Sequence, residues 1–501
     1  MKLSSLFSLL EKTPLDVMIH CKGDAGSAER TEVCDLVSDS RKVRSGSIFA
    51  CVEGEHSDGH DFAHSAICSG ATLLLCEHPL DICIPQIICS DVRRNMGRVA
   101  SLLYGDPSSK LKMVGITGTN GKTTSTVMIK SILETAGIKT GLLGTVWCDD
   151  GEIKEDAEHT TPEGSDLQRW LYRMLTNGCS ACVMEASSHA IGQGRIEGVH
   201  YDRAGFTNLT VDHLNYHLDM ESYFKVKRAL FQDYMKDDCC VALNLDDPYG
   251  ARLYNELGKK SVTYSVADRN ADFFADVKKA SVEGMDLEIF IKGISSPISA
   301  RLPLIGKYNV MNALQAVSVS WTLGIGGDAV LNGLSKMGQV PGRLEKYIIE
   351  GSGTCVIDFA HNPDGLEKVL TALRSVCEGR LIVIFGASGE SDRSKRPMMG
   401  ETASALADYV IISSDNPKSE DPRMIATEIE LGASKHSAMR EVILDREEAV
   451  GFGLDMLLPG DILVLAGKGP ETTQVLKDGP VAYSDRDALA AWCARKGKSF
   501  R

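Results

Sequence analysis

Residues 112–130 read Lys-Met-Val-Gly-Ile-Thr-Gly-Thr-Asn-Gly-Lys-Thr-Thr-Ser-Thr-Val-Met-Ile-Lys. The first six have the apolar character of a short buried strand, 118–121 form a loop of small residues, and 123–130 are patterned as a helix. A strand turning through glycines into a helix N-terminus makes a phosphate cradle, because backbone N–H groups point inward and the helix dipole favours an anion. In that cradle, formed by Gly118, Thr119, Asn120, Gly121, Lys122, Thr123 and Thr124, Lys122 neutralises the β/γ-phosphates and Thr123 offers its hydroxyl to magnesium. The match to the common P-loop spacing is incomplete. Ile116 stands five places before Gly121, where a glycine is usual, and Gly118 takes that part in a tighter turn. A chance glycine turn is the competing interpretation, and the register of strand, Lys-Thr and helix disfavours it. ATP is the expected ligand; the loop alone does not say what the ATP is for.

A chain of 501 residues is too long for one core, so two to four domains are expected. The composition, 43% hydrophobic and 24% charged, is that of a globular protein. The formal charge of −14 argues against a nucleic-acid-binding surface, and no apolar run has the length of a membrane span. Residues 1–12 read as a short amphipathic helix rather than a signal peptide, because charge returns too early. Fifteen cysteines are scattered without a framework, which predicts buried free thiols in a reducing cytoplasm. Cys179 and Cys182 form a CxxC with no second pair near it, so neither zinc nor redox chemistry is expected there.

Breaks at 104–109 and 340–343 divide the chain into 1–108, 109–342 and 343–501. The expected fold class is α/β with three domains. A small N-terminal α/β domain precedes a central doubly wound P-loop domain and a C-terminal Rossmann-like domain. In the last of these, the apolar strands 381–385, 409–412 and 461–466 each run into small and polar residues, where parallel sheets bind ligands.

The strand 181–184 ends at Glu185, well placed to hold magnesium beside a P-loop, although a lone strand-terminal Glu is more often a solvated end. His213 taken alone is balanced between structural hydrogen bonding and metal ligation. Lys225, Lys227 and Arg228 taken alone favour a solvated helix face, and Ser40, Thr160 and Thr161 would pass for turn residues.

In combination these segments carry a family resemblance. Gly118 to Thr124, Glu185-Ala-Ser-Ser-His189, Asp212-His213-Leu214, Gly306-Lys-Tyr-Asn-Val-Met-Asn312 and Pro341-Gly-Arg343 follow the order and spacing of the Mur ligases, ATP-dependent amide-forming enzymes of peptidoglycan precursor synthesis. Asp358-Phe-Ala-His-Asn-Pro-Asp364 and the loop from Asp415 to Pro422 resemble the branch that adds the third peptide residue. The resemblance implies that Thr123, Glu185, His213 and a carbamylated Lys227 serve magnesium, with Lys122 among the catalytic residues. It implies that Asn309, Arg343 and Asp358 lie around the nucleotide. Ser40, Thr160, Thr161, Ser187, Gln193 and Arg195 would grip a UDP-N-acetylmuramoyl dipeptide held partly by the N-terminal domain.

The implied reaction moves the γ-phosphoryl group of ATP to the D-Glu carboxylate of that dipeptide, and an amine then attacks the acyl phosphate. Domain closure, a monomer and a cytoplasmic location are expected. Arg393, Asp415, Asn416, Lys418, Gly467 and Glu471 are the expected amino-acid site. Three departures bear on which amino acid enters. Lys418 replaces the family's Arg, keeping the charge but losing the bidentate fork. The substrate-binding Arg aligns with Ser391, Arg393 lying two places later, and Pro470 stands where His is usual. A cation at 418 favours meso-diaminopimelate, with its extra carboxylate, over L-lysine. A folylpolyglutamate synthetase-like ligase and a P-loop kinase are the remaining alternatives.

Overall fold

The computed structural model describes residues 1–20, 30–54, 57–212 and 214–501. It has the expected three-domain α/β architecture, with one main sheet in each domain. By contacts the chain forms two compact units, Met1–Phe273 with Gln315–Gly333, and Phe274–Leu314 with Leu334–Arg501.

The first unit holds two sheets. The N-terminal one has five strands in the order Val17–His20, Gln86–Cys89, Ala71–Cys76, Ser47–Ala50 and Asp35–Val37, parallel except at the first pairing. The expected amphipathic helix is Leu3–Lys12, and it buries Leu3, Leu6 and Leu10 at helical spacing. In the second sheet the P-loop strand Lys112–Thr117 lies between Ala181–Glu185 and Tyr201–Phe206, all parallel. Thr140–Leu143 flanks one side, and Met235–Asn244 and Ser261–Ser265 extend the other. The chain passes from the P-loop strand to Thr140–Leu143, returns to Ala181–Glu185 and then crosses to Tyr201–Phe206, so the carboxyl end of the P-loop strand lies where the winding reverses, as at ligand-binding switch points of α/β sheets.

Two clamps hold these sheets together within the unit. Glu197 receives Arg94 at 3.1 Å, Arg98 at 2.7 Å and the Tyr234 hydroxyl at 3.0 Å. Arg169 forks onto Asp35 at 2.8 and 3.0 Å.

In the second unit, six strands run in the order Glu345–Ile348, Thr354–Asp358, Ile462–Ala466, Leu381–Phe385, Tyr409–Ile412 and Met439–Val442. Only the first is antiparallel to its neighbour. Thr354–Asp358, Ile462–Ala466 and Leu381–Phe385 are buried along their whole length, as central strands covered on both faces must be. The described cysteines are free thiols, Cys182 among the fully buried ones. Among the described residues no helix is long and apolar enough to cross a membrane.

Candidate active site

The P-loop helix spans Lys122–Thr135 and starts at Gly121, which has φ +89° and places no side chain over the first turn. The loop is bolted to the segment after Tyr201–Phe206. Thr119 N donates to the Asn208 carbonyl at 2.9 Å, and Asn120 and Asn208 exchange two bonds of 3.1 Å. Gly118, at φ +143°, admits no side chain, because a Cβ there would lie 1.8 Å from Thr207 Oγ1. Gly118→Ala is therefore expected to weaken ATP binding by about 10- to 100-fold through displacement of the loop, measurable by calorimetry.

Two lysines meet at this loop. Lys122 Nζ donates to the carbonyls of Gly118 and Thr119 at 3.0 and 2.8 Å, and Lys227 Nζ donates to the same Gly118 carbonyl at 2.8 Å. Lys227 lies on the helix Met220–Asp233, on its buried face with Tyr223, Phe224, Leu230 and Phe231, and is 1% exposed. The solvated-face alternative fails for Lys227, while Lys225 is exposed as that alternative requires. Burial drives the Lys227 ammonium well below its usual range, the nearby Lys122 charge adds to this, and Asp212 opposes it. The Tyr223 ring sits 4.7 Å from Nζ, and its hydroxyl shares a 3.3 Å bond with Thr119 Oγ1.

Glu185 is fully buried at the end of its strand. Its oxygens accept from Thr145 N at 2.8 Å and Thr145 Oγ1 at 3.1 Å, and among the described residues it pairs with no cation. A buried carboxylate compensated by neutral donors alone suits a bound cation. Among the described residues no three His, Cys, Asp or Glu side chains converge as a ready-made metal site. A magnesium ion here would therefore draw on Thr123, Glu185, phosphate oxygens and a modified Lys227. His213 lies outside the described residues.

The expected dipeptide-binding residues are linked through Glu185. Thr145 Oγ1 reaches Thr160 Oγ1 at 3.2 Å, and Thr161 Oγ1 donates to the Glu185 carbonyl at 2.8 Å and meets Ser187 Oγ at 3.3 Å. Arg195 bonds the Thr161 carbonyl at 3.3 Å and Gln193 Oε1 at 3.0 Å, and pairs with Glu163 at 3.1 Å. Ser40 stands apart in the short turn of helix Ser40–Lys42, whose Lys42 approaches Glu158 at 4.0 Å. Thr145 was not singled out from the sequence; it follows the glycine Gly144, where a Cβ would come 2.5 Å from Glu185 Oε1.

In the second unit, Asp358 is buried and accepts from Leu344 N at 2.7 Å and Ala360 N at 2.8 Å. Burial raises its carboxyl while Arg343 opposes the rise. Arg343 lies 5.0 Å over the Phe359 ring. Asn309 is engaged locally, donating to the Ile305 carbonyl at 2.8 Å and accepting from Asn312 at 3.0 Å.

The strand-end loops of this unit bring together Asp415, Asn416, Gly467 and Glu471. Lys468, fully buried, donates to Glu471 Oε2 at 2.7 Å and Asn416 Oδ1 at 3.1 Å, while Asn416 Nδ2 donates to the same Glu471 oxygen at 2.9 Å. Glu471 is thus held through one oxygen. Gly467, at φ +104°, lets Asp415 approach, since a Cβ would meet Asp415 Oδ2 at 3.0 Å. Burial raises the Asp415 carboxyl; Arg446 and Lys468 oppose the rise, and Glu471 reinforces it. Pro470 packs against Gly342, where a Cβ would come 2.5 Å from the proline ring. Arg393 is exposed and paired with Glu428. The buried cation of that segment is Arg396, which forks onto Glu420 at 2.9 Å through both terminal nitrogens and holds that carboxyl down at about 2.

Three family models match along the chain: the Mur ligase family catalytic domain at residues 35–101, the Mur ligase middle domain at 116–320, and the Mur ligase glutamate ligase domain at 342–469. The chain belongs to the Mur ligase family. Among its relatives in that family, UDP-N-acetylmuramoyl-L-alanyl-D-glutamate–2,6-diaminopimelate ligase 1 of Clostridium acetobutylicum is 39% identical over 464 residues, covering 92% of this chain and 94% of the relative. The diaminopimelate ligase of Geobacillus kaustophilus is 38% identical, covering 93% and 96%. A solved Mur ligase structure titled as the same diaminopimelate-adding enzyme has a TM-score of 0.65 at 29% identity, covering 95% of this chain and 98% of its own.

Proposed function

We propose that this Mur ligase joins meso-diaminopimelate to the D-Glu carboxylate of UDP-N-acetylmuramoyl-L-alanyl-D-glutamate, with ATP cleaved to ADP and phosphate. The full-length match to diaminopimelate-adding relatives supports the reaction. The observation that carries the reading onto these residues is the pairing of Lys122 and the buried Lys227 on one P-loop carbonyl. A second lysine at the phosphate loop is not needed to bind a triphosphate, but a carbamate formed on it supplies an anion that can bridge a metal.

The substrate carboxylate attacks the γ-phosphorus, the bond to the β-phosphate oxygen breaks, and ADP leaves. The amine, entering as the free base, then attacks the acyl carbon, the C–N bond forms, the C–O bond to phosphate breaks, and the nitrogen gives up a proton, which the departing phosphate can take. Two anions meet in the first step, so charge neutralisation is the main demand on the site. Lys122 supplies part of it by turning from the loop carbonyls to the phosphates. Magnesium, held by Thr123, Glu185, His213 and carbamylated Lys227, would neutralise the remaining phosphate charge. Thr160, Thr161, Ser187, Gln193 and Arg195 orient the dipeptide, and Ser40 contacts the sugar nucleotide. Asn309, Arg343 and Asp358 border the nucleotide. Asp415, Asn416, Gly467 and Glu471 receive the amino acid, with Lys418 on its distal carboxylate and Arg393 as a further contact. Domain boundaries at 108/109 and 342/343, assigning sugar nucleotide, ATP and amino acid in turn, follow from this reading.

Phosphate release measured with the muramoyl dipeptide nucleotide tests the proposal. Release should require both the dipeptide and diaminopimelate. Release with L-lysine alone would reverse the choice of amino acid, and release with neither would sink the assignment. Lys418→Ala should lower kcat/KM for diaminopimelate by about tenfold or more, the loss of one hydrogen bond to a charged group. Equal activity of the variant would remove Lys418 from the site.

A further inference from the structure

Five non-glycine residues among those described have φ in the left-handed region, and two of them, Glu390 and Lys418, both at +53°, face each other across the amino-acid site. A side chain persists in that conformation only where its surroundings hold it, and such residues concentrate at functional sites. The surroundings here are specific. Glu390 N donates to Glu420 Oε1 at 2.5 Å, and Glu420 is itself fixed by the buried Arg396. Gly389 N donates to the Asn416 carbonyl at 2.9 Å, so the loop after Leu381–Phe385 is zipped to the loop after Tyr409–Ile412. On the other side, Lys418 N donates to the Val475 carbonyl at 3.0 Å.

The side chains continue the pattern. Ser419 Oγ donates to Glu390 Oε1 at 2.6 Å, which leaves Oε2 as the oxygen nearest Lys418 Nζ, 3.8 Å away. That distance is an ion pair without a hydrogen bond, and both side chains are open to solvent, at 51% and 39% exposure. A pair so loosely made is readily exchanged for another anion.

We propose that Glu390 is a specificity-determining residue: its carboxylate occupies the Lys418 ammonium in the free enzyme, and the distal carboxylate of the incoming amino acid must displace it. This rests on the proposed function, in which Lys418 meets that carboxylate. Glu390 then acts differently on the two competing substrates. Both carry a distal ammonium that it attracts, but only diaminopimelate also carries the distal carboxylate with which it competes for Lys418.

The test is Glu390→Gln, which keeps the oxygen that accepts from Ser419 and removes the charge. KM for meso-diaminopimelate should fall by between about 1.5- and 5-fold, the range an exposed ion pair commands, with kcat changing by less. The preference for diaminopimelate over L-lysine in kcat/KM should rise, and the effect should shrink at high salt, where exposed charges are screened. In a Lys418→Ala background the Glu390→Gln change should leave KM unmoved. A KM for diaminopimelate that is unchanged or raised by Glu390→Gln overturns the inference, as does an equal fall in KM without Lys418. Wild-type enzyme that releases no phosphate with diaminopimelate instead overturns the underlying reading, so the two failures are separable.

Discussion

Phosphate release by Lys227→Ala is expected to fall by about a hundredfold or more, because magnesium, which offsets the anions the reaction gathers, would lose the carbamate that helps to hold it. The side chain is buried, its Nζ is 2.8 Å from the Gly118 carbonyl, and burial with the Lys122 charge favours the neutral amine. A neutral amine is the form that attacks carbon dioxide: the N–C bond forms, one C=O bond opens to a carboxylate, and a proton leaves. The product is an anion facing Lys122 beside the phosphate loop. Lys227→Arg keeps a cation and a donor but cannot form the carbamate, so it should be as inactive as the alanine variant. Short carboxylic acids added to Lys227→Ala should restore part of the activity, an effect that loss of a structural hydrogen bond would not produce. Full activity in Lys227→Arg would instead make Lys227 a fixed cation on the loop.

The largest expected loss of stability is at Arg446. Its guanidinium and the Asp485 carboxylate are both fully buried, joined by bonds of 2.8 and 2.9 Å, with a further bond to the Ala466 carbonyl at 2.9 Å. Tyr483 adds a 2.9 Å bond to Asp485. Arg446→Met should cost about 3–5 kcal/mol, because it strands the carboxylate in an apolar interior. Denaturant unfolding followed by circular dichroism measures this directly. Removing both charges with Arg446→Met and Asp485→Leu should recover most of the loss, since apolar replacements of a buried pair are often neutral. A double variant as unstable as the single one would show that the loss comes from packing rather than from an orphaned charge.

Much of the fold was legible because it is set locally. The P-loop strand and helix, the Glu185 strand end and the apolar strands of the C-terminal sheet follow from periodicity and glycine placement, which act over a few residues. Lys227 was less legible, although a signal existed. It falls three residues after Phe224 and three before Leu230, on the face that the helix Met220–Asp233 buries. Thr145, Arg396 and the Arg446–Asp485 pair carried no such signal. Their partners lie 40, 24 and 39 residues away, and only folding brings them together.

By itself the sequence determined the three α/β domains, the phosphate cradle and the family, since motif order and hydrophobic period are properties of neighbouring residues. Only the tertiary structure decided the electrostatic state of the site. It made Lys227 a buried amine on the Gly118 carbonyl, left Glu185 a buried carboxylate with no cation beside it among the described residues, and set Glu390 against Lys418. The physical reason is that a charge is governed by its desolvation and by the groups within a few ångströms. Both are fixed by which distant segments pack together.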